Sequence, residues 1–232
     1  MKNNLLIILA LMVSLMSFGQ EINQINSKGL KQGKWIKTIE GSDKLIYKGA
    51  FKDNVPVGHW EYFYPNQTVK AIIDYSNELS PSQIFHTNGK LMGTGNYVIN
   101  PNSNTDRPYV KQGLWKFYDL YGNISSEDNY VNGNKTGLCK VYYLGAKLAS
   151  EINYLNGEKQ GAFIEYFIDG VVKSKGVVKD GNYEGELISY NSDGKIYMKG
   201  SYKNGVKNGE WIILNEEGEH ETYVFIYGEL QN

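Results

Sequence analysis

A glycine returns every 24 residues along much of this chain. Gly113, Gly137, Gly161, Gly185 and Gly209 keep the beat, and Gly33, Gly58 and Ser80 extend it backwards less evenly. A fixed period of this size means one supersecondary unit copied along the chain, each copy burying its apolar face against its neighbours. That constraint settles most of the architecture before any single residue is considered.

Counting from each opening residue exposes the unit. Position 2 holds Trp35, Trp60, Ser82, Trp115, Cys139, Phe163, Leu187 and Trp211. Position 5 holds Thr38, Phe63, Phe85, Tyr118, Tyr142, Tyr166, Tyr190 and Leu214. A turn signal follows at positions 8 and 9, as in Asn88-Gly89, Asp169-Gly170 and Asp193-Gly194, where a two-residue hairpin turn with positive φ is expected. The second half of the unit alternates apolar or small residues with polar ones, as in Ile196, Met198, Gly200 and Tyr202. Such a strand has one buried and one wet face. A second turn closes each unit at Asn132-Gly133, Asn156-Gly157, Asp180-Gly181 and Asn204-Gly205.

The expected fold is therefore all-β: an elongated, twisted antiparallel array of about eight tandem hairpins, with no helical domain. Glycine and β-branched residues recur too densely for helices, and no 3.6-residue apolar stripe appears. Small residues at positions 13 and 15 leave room for the position-2 ring of an adjacent strand. Positions 2 and 5 have opposite parity, so the first strand needs either a bulge or cover on both faces.

Ahead of the repeats, Met1-Lys2-Asn3-Asn4 precedes an apolar run from Leu5 to Met16 and the small-residue pattern Ser17-Phe18-Gly19. This reads as a secretory signal peptide over residues 1–19, too short in its apolar centre for a membrane span. Residues 20–32 form a lead-in, and residues 33–232 the repeat domain with an insertion near 98–112. The expected location is outside the cytoplasm: periplasm, cell surface or medium. A formal charge of −1 gives no basic excess for nucleic acid, and contact with membrane is expected only through the cleaved leader. The single cysteine, Cys139, allows no internal disulfide.

Gly185-Glu-Leu-Ile-Ser-Tyr190-Asn-Ser-Asp-Gly194, then Tyr202-Lys-Asn-Gly205 and Gly209-Glu-Trp211, resembles the bacterial variant of the MORN repeat found in YwqK-type antitoxin proteins. The resemblance covers residues 33–232. The unit opening at Ser80 departs from it in lacking the glycine and the tryptophan, and Tyr227-Gly228 replaces the second turn of the last copy. The resemblance implies a run of antiparallel hairpins with an aromatic-lined groove, used for protein contacts and in some cases linked to lipid. A leader peptide is out of keeping with a cytoplasmic antitoxin.

Catalytic patterns are absent from the sequence. His59, His86 and His220 are far apart and fit no metal-ligand spacing. Gly93-Thr-Gly95 lacks the remaining features of a phosphate loop, and Cys139 occupies the slot of a buried filler. Glu165, Glu184 and Glu186 can be paired on paper for glycoside hydrolysis, but acidic residues at variable repeat positions are usually solvated. No enzyme activity, cofactor or metal is expected.

Two features favour binding. Tyr118, Tyr142, Tyr166 and Tyr190 recur once per unit and line up along one side of the sheet, where they either pack it or meet a partner. Tyr130, Tyr154 and Tyr202 form a second row, read as core. The polar insertion, with Asn102, Asn104, Asp106 and Arg107, is a candidate recognition loop. The expectation is an exported, non-catalytic module that binds a protein. The alternatives are a toxin-neutralising immunity role and, behind it, binding of envelope glycan or lipid. Open sheet edges also allow edge-to-edge self-association.

Overall fold

The computed structural model describes residues 21–100 and 109–231. The leader at 1–19 and Asn102, Asn104, Asp106 and Arg107 lie outside the described residues. Every described regular element is a β-strand, and the twenty strands form one sheet. Each strand pairs antiparallel with its sequence neighbour, from Lys31–Thr38 against Leu45–Lys52 through to Val206–Leu214 against His220–Ile226. The hairpin expectation holds in all eight units.

The turns between units follow the sequence signal closely. Asn132 and Gly133, Asn156 and Gly157, Asp180 and Gly181, and Asn204 and Gly205 all carry positive φ at both positions. That is the geometry of a two-residue type I′ turn, whose twist matches the flanking strands. Tyr227-Gly228 adopts it as well, with φ of 49° and 90°. Each turn is held from below: Gly133 N donates to Lys111 O (2.9 Å), Gly157 N to Lys135 O (2.8 Å) and Gly228 N to Lys207 O (2.8 Å). Side chains just before the opening glycine complete the support, with Gln112 Oε1 accepting from Asn132 N and Gln160 Oε1 from Asp180 N.

The turns within units correct the sequence reading. Asp119 N donates to Asn123 O and Gly122 N to Asp119 O, so the loop spans three residues and only its glycine takes positive φ. A type I turn followed by a left-handed residue explains this, and the Asp or Asn at position 6 shapes it: Asp119 Oδ1 accepts from Tyr121 N and Asn123 N.

A bulge accompanies each of these turns, but it lies on the returning strand and leaves positions 2 and 5 on opposite faces, so the first strand carries rings on both sides. Phe117 faces Ser126 but Tyr118 faces Ile124, so the returning strand carries one extra residue; the same shift recurs at Tyr142, Tyr166 and Tyr190. Positions 2 and 4 thus share one face, where Trp115 stacks on Phe117 with centroids 5.7 Å apart. Positions 3 and 5 share the other.

Among the described residues the sheet has no second layer, so its core is built on the aromatic face alone. Trp60 is 2% exposed, while Trp115 and Trp211 are fully buried. Space for the indoles comes from glycine on the preceding strand: a Cβ on Gly49, Gly95 or Gly200 would lie 2.2 to 2.3 Å from the indole of Trp60, Trp115 or Trp211. In two units that lack the tryptophan the residue opposite changes too, whereas Leu187 keeps Gly176 beside it. Ser82 meets Ile73, and Cys139 follows Asp128. Each indole N–H is satisfied by a neighbouring carbonyl, Trp115 Nε1 donating to Asn96 O at 3.0 Å and Trp211 Nε1 to Ser201 O at 3.1 Å.

Candidate functional site

The sheet displays two periodic surfaces. The outer face carries the tyrosine row, and several position-5 rings sit over a side chain on the returning strand of the preceding unit. Tyr142 OH donates to Glu127 Oε2 and Tyr166 OH to Glu151 Oε2, both at 2.9 Å. Where that neighbour is a lysine, the ring receives a cation instead: Lys175 Nζ lies 5.8 Å from the Tyr190 ring and Lys48 Nζ 5.7 Å from that of Phe63. Tyr118, Tyr142, Tyr166 and Tyr190 are all half-buried.

Charge threads between these rings. Lys116 pairs with Glu127 at 3.1 Å and Lys140 with Glu151 at 3.4 Å. The hydrogen bond from Tyr142 and the nearby lysines hold the Glu127 carboxyl below its ordinary range. Burial, and then donation to Glu127, push the Tyr142 phenol up to about 12. A further inter-unit bond was not read from the sequence: Tyr143 OH donates to Tyr166 O at 2.7 Å and Tyr64 OH to Phe85 O at 2.9 Å. Its signal was the aromatic doublet at positions 5 and 6, Phe63-Tyr64 and Tyr142-Tyr143.

Beside the tyrosines the outer face exposes apolar side chains. Leu114, Leu138, Val177, Ile212 and Val224 are each 40 to 45% exposed, at strand positions that a second layer would cover in a sandwich.

The aromatic face has a different margin. One strand position before each tyrosine of the second row's partner, lysine recurs two residues ahead of the opening glycine, at Lys31, Lys111, Lys135, Lys159 and Lys207. Cross-strand register sets Tyr97 against Lys111, Tyr130 against Lys135, Tyr154 against Lys159 and Tyr202 against Lys207. Lys111 Nζ lies 5.0, 4.4 and 4.9 Å from the rings of Trp115, Phe117 and Tyr130. Lys207 Nζ lies 4.5 Å from Trp211 and 4.9 Å from Phe225. The lysine stems help to cover the indoles. Burial lowers the Lys111 pKa, and it pushes the Tyr130 phenol up to about 12. Tyr130 is buried, as read from the sequence, whereas Tyr154 and Tyr202 are half-buried.

In the fourth and fifth units a polar pair interrupts this face. Asp128, 4% exposed, meets Lys135 Nζ at 2.9 Å beside buried Cys139. Burial raises the Cys139 thiol pKa, which suits a filler rather than a nucleophile. The three glutamates weighed for hydrolysis do not converge. Glu165 accepts from Ser174 Oγ on the aromatic face, Glu186 pairs with Lys199 on the outer face, and Glu184 Oε2 caps the turn at Asn204 N. Among the described residues no group of three or more His, Cys, Asp and Glu could hold a metal ion.

No curated protein matches the chain. Among solved structures, S. aureus TarM, a mutant in complex with Fondaparinux, alpha-GlcNAc-glycerol and UDP, aligns at 12% identity with a TM-score of 0.24. That alignment covers 62% of this chain and 20% of that one. The GtfA/B complex bound to UDP and GlcNAc aligns at 11% identity and a TM-score of 0.22, over 53% of this chain and 22% of the other. The chain therefore spans about a fifth of the length of either, and likeness at this level carries no functional argument. The family model described as the MORN repeat variant matches residues 81–98, 111–132 and 183–204. These matches fall in the third, fourth and seventh hairpins, so these three units are similar to the MORN repeat variant.

Proposed function

We propose that this protein is an exported, non-catalytic module that binds a protein partner across the outer face of its repeats. The observation that carries the reading is the exposed apolar band of Leu114, Leu138, Val177, Ile212 and Val224, running beside the half-buried tyrosines on a sheet with no covering layer. Isolated exposed leucines are ordinary, but apolar side chains recurring across several units of one open face favour contact with another protein. The tyrosine rings supply rigid edges to that surface, and the Tyr142 and Tyr166 hydroxyls are already engaged by Glu127 and Glu151. Export rests on the leader pattern at 1–19.

The test is capture from an envelope fraction with the native protein and with a Leu114→Asp/Leu138→Asp variant of unchanged melting temperature. A partner retained by the first and lost by the second supports the reading. Equal capture by both, or none above background, contradicts it.

A further inference from the structure

We infer that the lysine-tyrosine margin of the aromatic face is a second binding surface, on the side opposite the outer apolar band, and that it takes an extended acidic peptide segment. The row runs without interruption of sign from the fourth unit to the eighth: Lys111, Lys135, Lys159 and Lys207 alternate across the strands with Tyr97, Tyr130, Tyr154, Tyr183 and Tyr202. Among the described residues only Lys135 of this row forms an ion pair, with Asp128 in the floor. The carboxylates of Glu165 and Glu221 lie across the groove at positions 4 and 12, bonded to Ser174 and Tyr223. This row of lysines stands on a chain whose overall charge is −1, with Glu158, Asp180 and Glu184 at the turns beside it.

The ammonium groups of Lys111 and Lys207 rest on aromatic rings, and the backbone carbonyls of Lys111, Lys135 and Lys207 anchor the turns through Gly133, Gly157 and Gly228. A cation over rings that pairs with no carboxylate among the described residues, as Lys207 does, gains from a carboxylate supplied by a ligand. Tyr183, 42% exposed, and the half-buried Tyr154 and Tyr202 offer ring edges between successive charges. Neighbouring strands are about 4.8 Å apart, so the eleven long strands from Leu91–Ile99 to His220–Ile226 (leaving out the two-residue strands Asn134–Lys135 and Asn182–Tyr183) span about 48 Å, the length of about 14 extended residues. A linear acidic segment matches both the charge and the shape; a compact anion would use only one lysine.

The probe is a synthetic 15-residue Glu/Ser peptide, with its Gln/Ser counterpart as the neutral control, titrated against the purified protein by calorimetry. The acidic peptide is expected to bind, and to lose about tenfold in affinity when salt rises from about 20 to about 200 mM. Lys111→Met and Lys207→Met should each weaken binding by about fivefold, and Lys159→Gln by about threefold. The Lys159 ammonium lies over no ring among the described residues and its side chain is exposed, so this variant reports on binding even if the others fail to fold. Lys195→Gln, in an exposed turn, should change nothing. Equal binding of the neutral peptide, unaltered binding by Lys159→Gln, or binding of heparin or anionic vesicles but not of the peptide would overturn the inference. None of these results depends on the outer-face partner, which the Leu114→Asp/Leu138→Asp variant reads separately.

Discussion

Gly95 lies directly against the indole of Trp115, so closely that a Cβ at this glycine would come within 2.3 Å of Trp115 Cδ2. The same pairing joins Gly49 to Trp60 and Gly200 to Trp211, and it ties each unit to the next. A single-layer sheet needs such contacts because no opposing sheet or helix fills its core. Gly95→Ala is expected to cost about 2–3 kcal/mol, read from urea denaturation. Trp115→Ala alone should cost about 3–5 kcal/mol, and in the Gly95→Ala background distinctly less, because the clash is gone. Strict additivity of the two changes would contradict the contact.

The loop of the fifth unit differs from its neighbours. After Tyr143 both Gly145, with φ of 87°, and Ala146, with φ of 63°, are left-handed, and Ala146 stands where neighbouring units have Gly122 and Gly170. An L-residue there loses about 1 kcal/mol, part of which a glycine returns as chain entropy in the unfolded state. Ala146→Gly should therefore stabilise the protein by about 0.5 kcal/mol, visible as a small rise in melting temperature. A fall would show that the loop is not strained.

Much of this fold was legible in the sequence because its decisive contacts recur at fixed spacing. The opening glycines, the Asn-Gly turns and the alternating second strand each repeat the same local chemistry, and of the two outcomes that the parity of positions 2 and 5 allowed, the structure shows rings on both faces of the first strand. What escaped was set by register between units. Lys111 gains its meaning only when paired with Tyr97 across the strand gap, and Gln112 only when it reaches the turn at Asn132. The within-unit turn was misread because Asn-Gly suits both a two-residue loop and the end of a three-residue one.

Acid and alkali should act on the same outer-face contact. Glu127 is held below its ordinary 4.5, so its share of stability is complete above that pH and lost as the pH falls through the lowered value. Tyr142 is raised from 10.0 to about 12, so its share is complete below pH 10 and lost as pH rises through about 12. Tyr142→Phe should flatten both limbs of the curve of melting temperature against pH. An unchanged curve would mean that the hydroxyl and carboxylate do not interact in solution.

Cys139 should be inert in the native state. It is 2% exposed, and burial raises its pKa, so little thiolate forms and reagent has no access. Reaction with a thiol-specific disulfide reagent is expected only on unfolding, at the rate at which the sheet opens. Immediate labelling of the folded protein would place the fifth unit's floor in contact with solvent.

The most direct test of a single open sheet is its extent in solution. Fifteen inter-strand steps separate the strand Lys31–Thr38 from His220–Ile226 (the short strands at turns adding none), about 72 Å at the usual spacing. Small-angle scattering of the protein lacking residues 1–19 should give a radius of gyration of about 22 Å with an elongated distance distribution, whereas a compact chain of this length gives about 17 Å. A value near the compact figure would mean that the hairpins fold back on one another, and the two open faces would not exist.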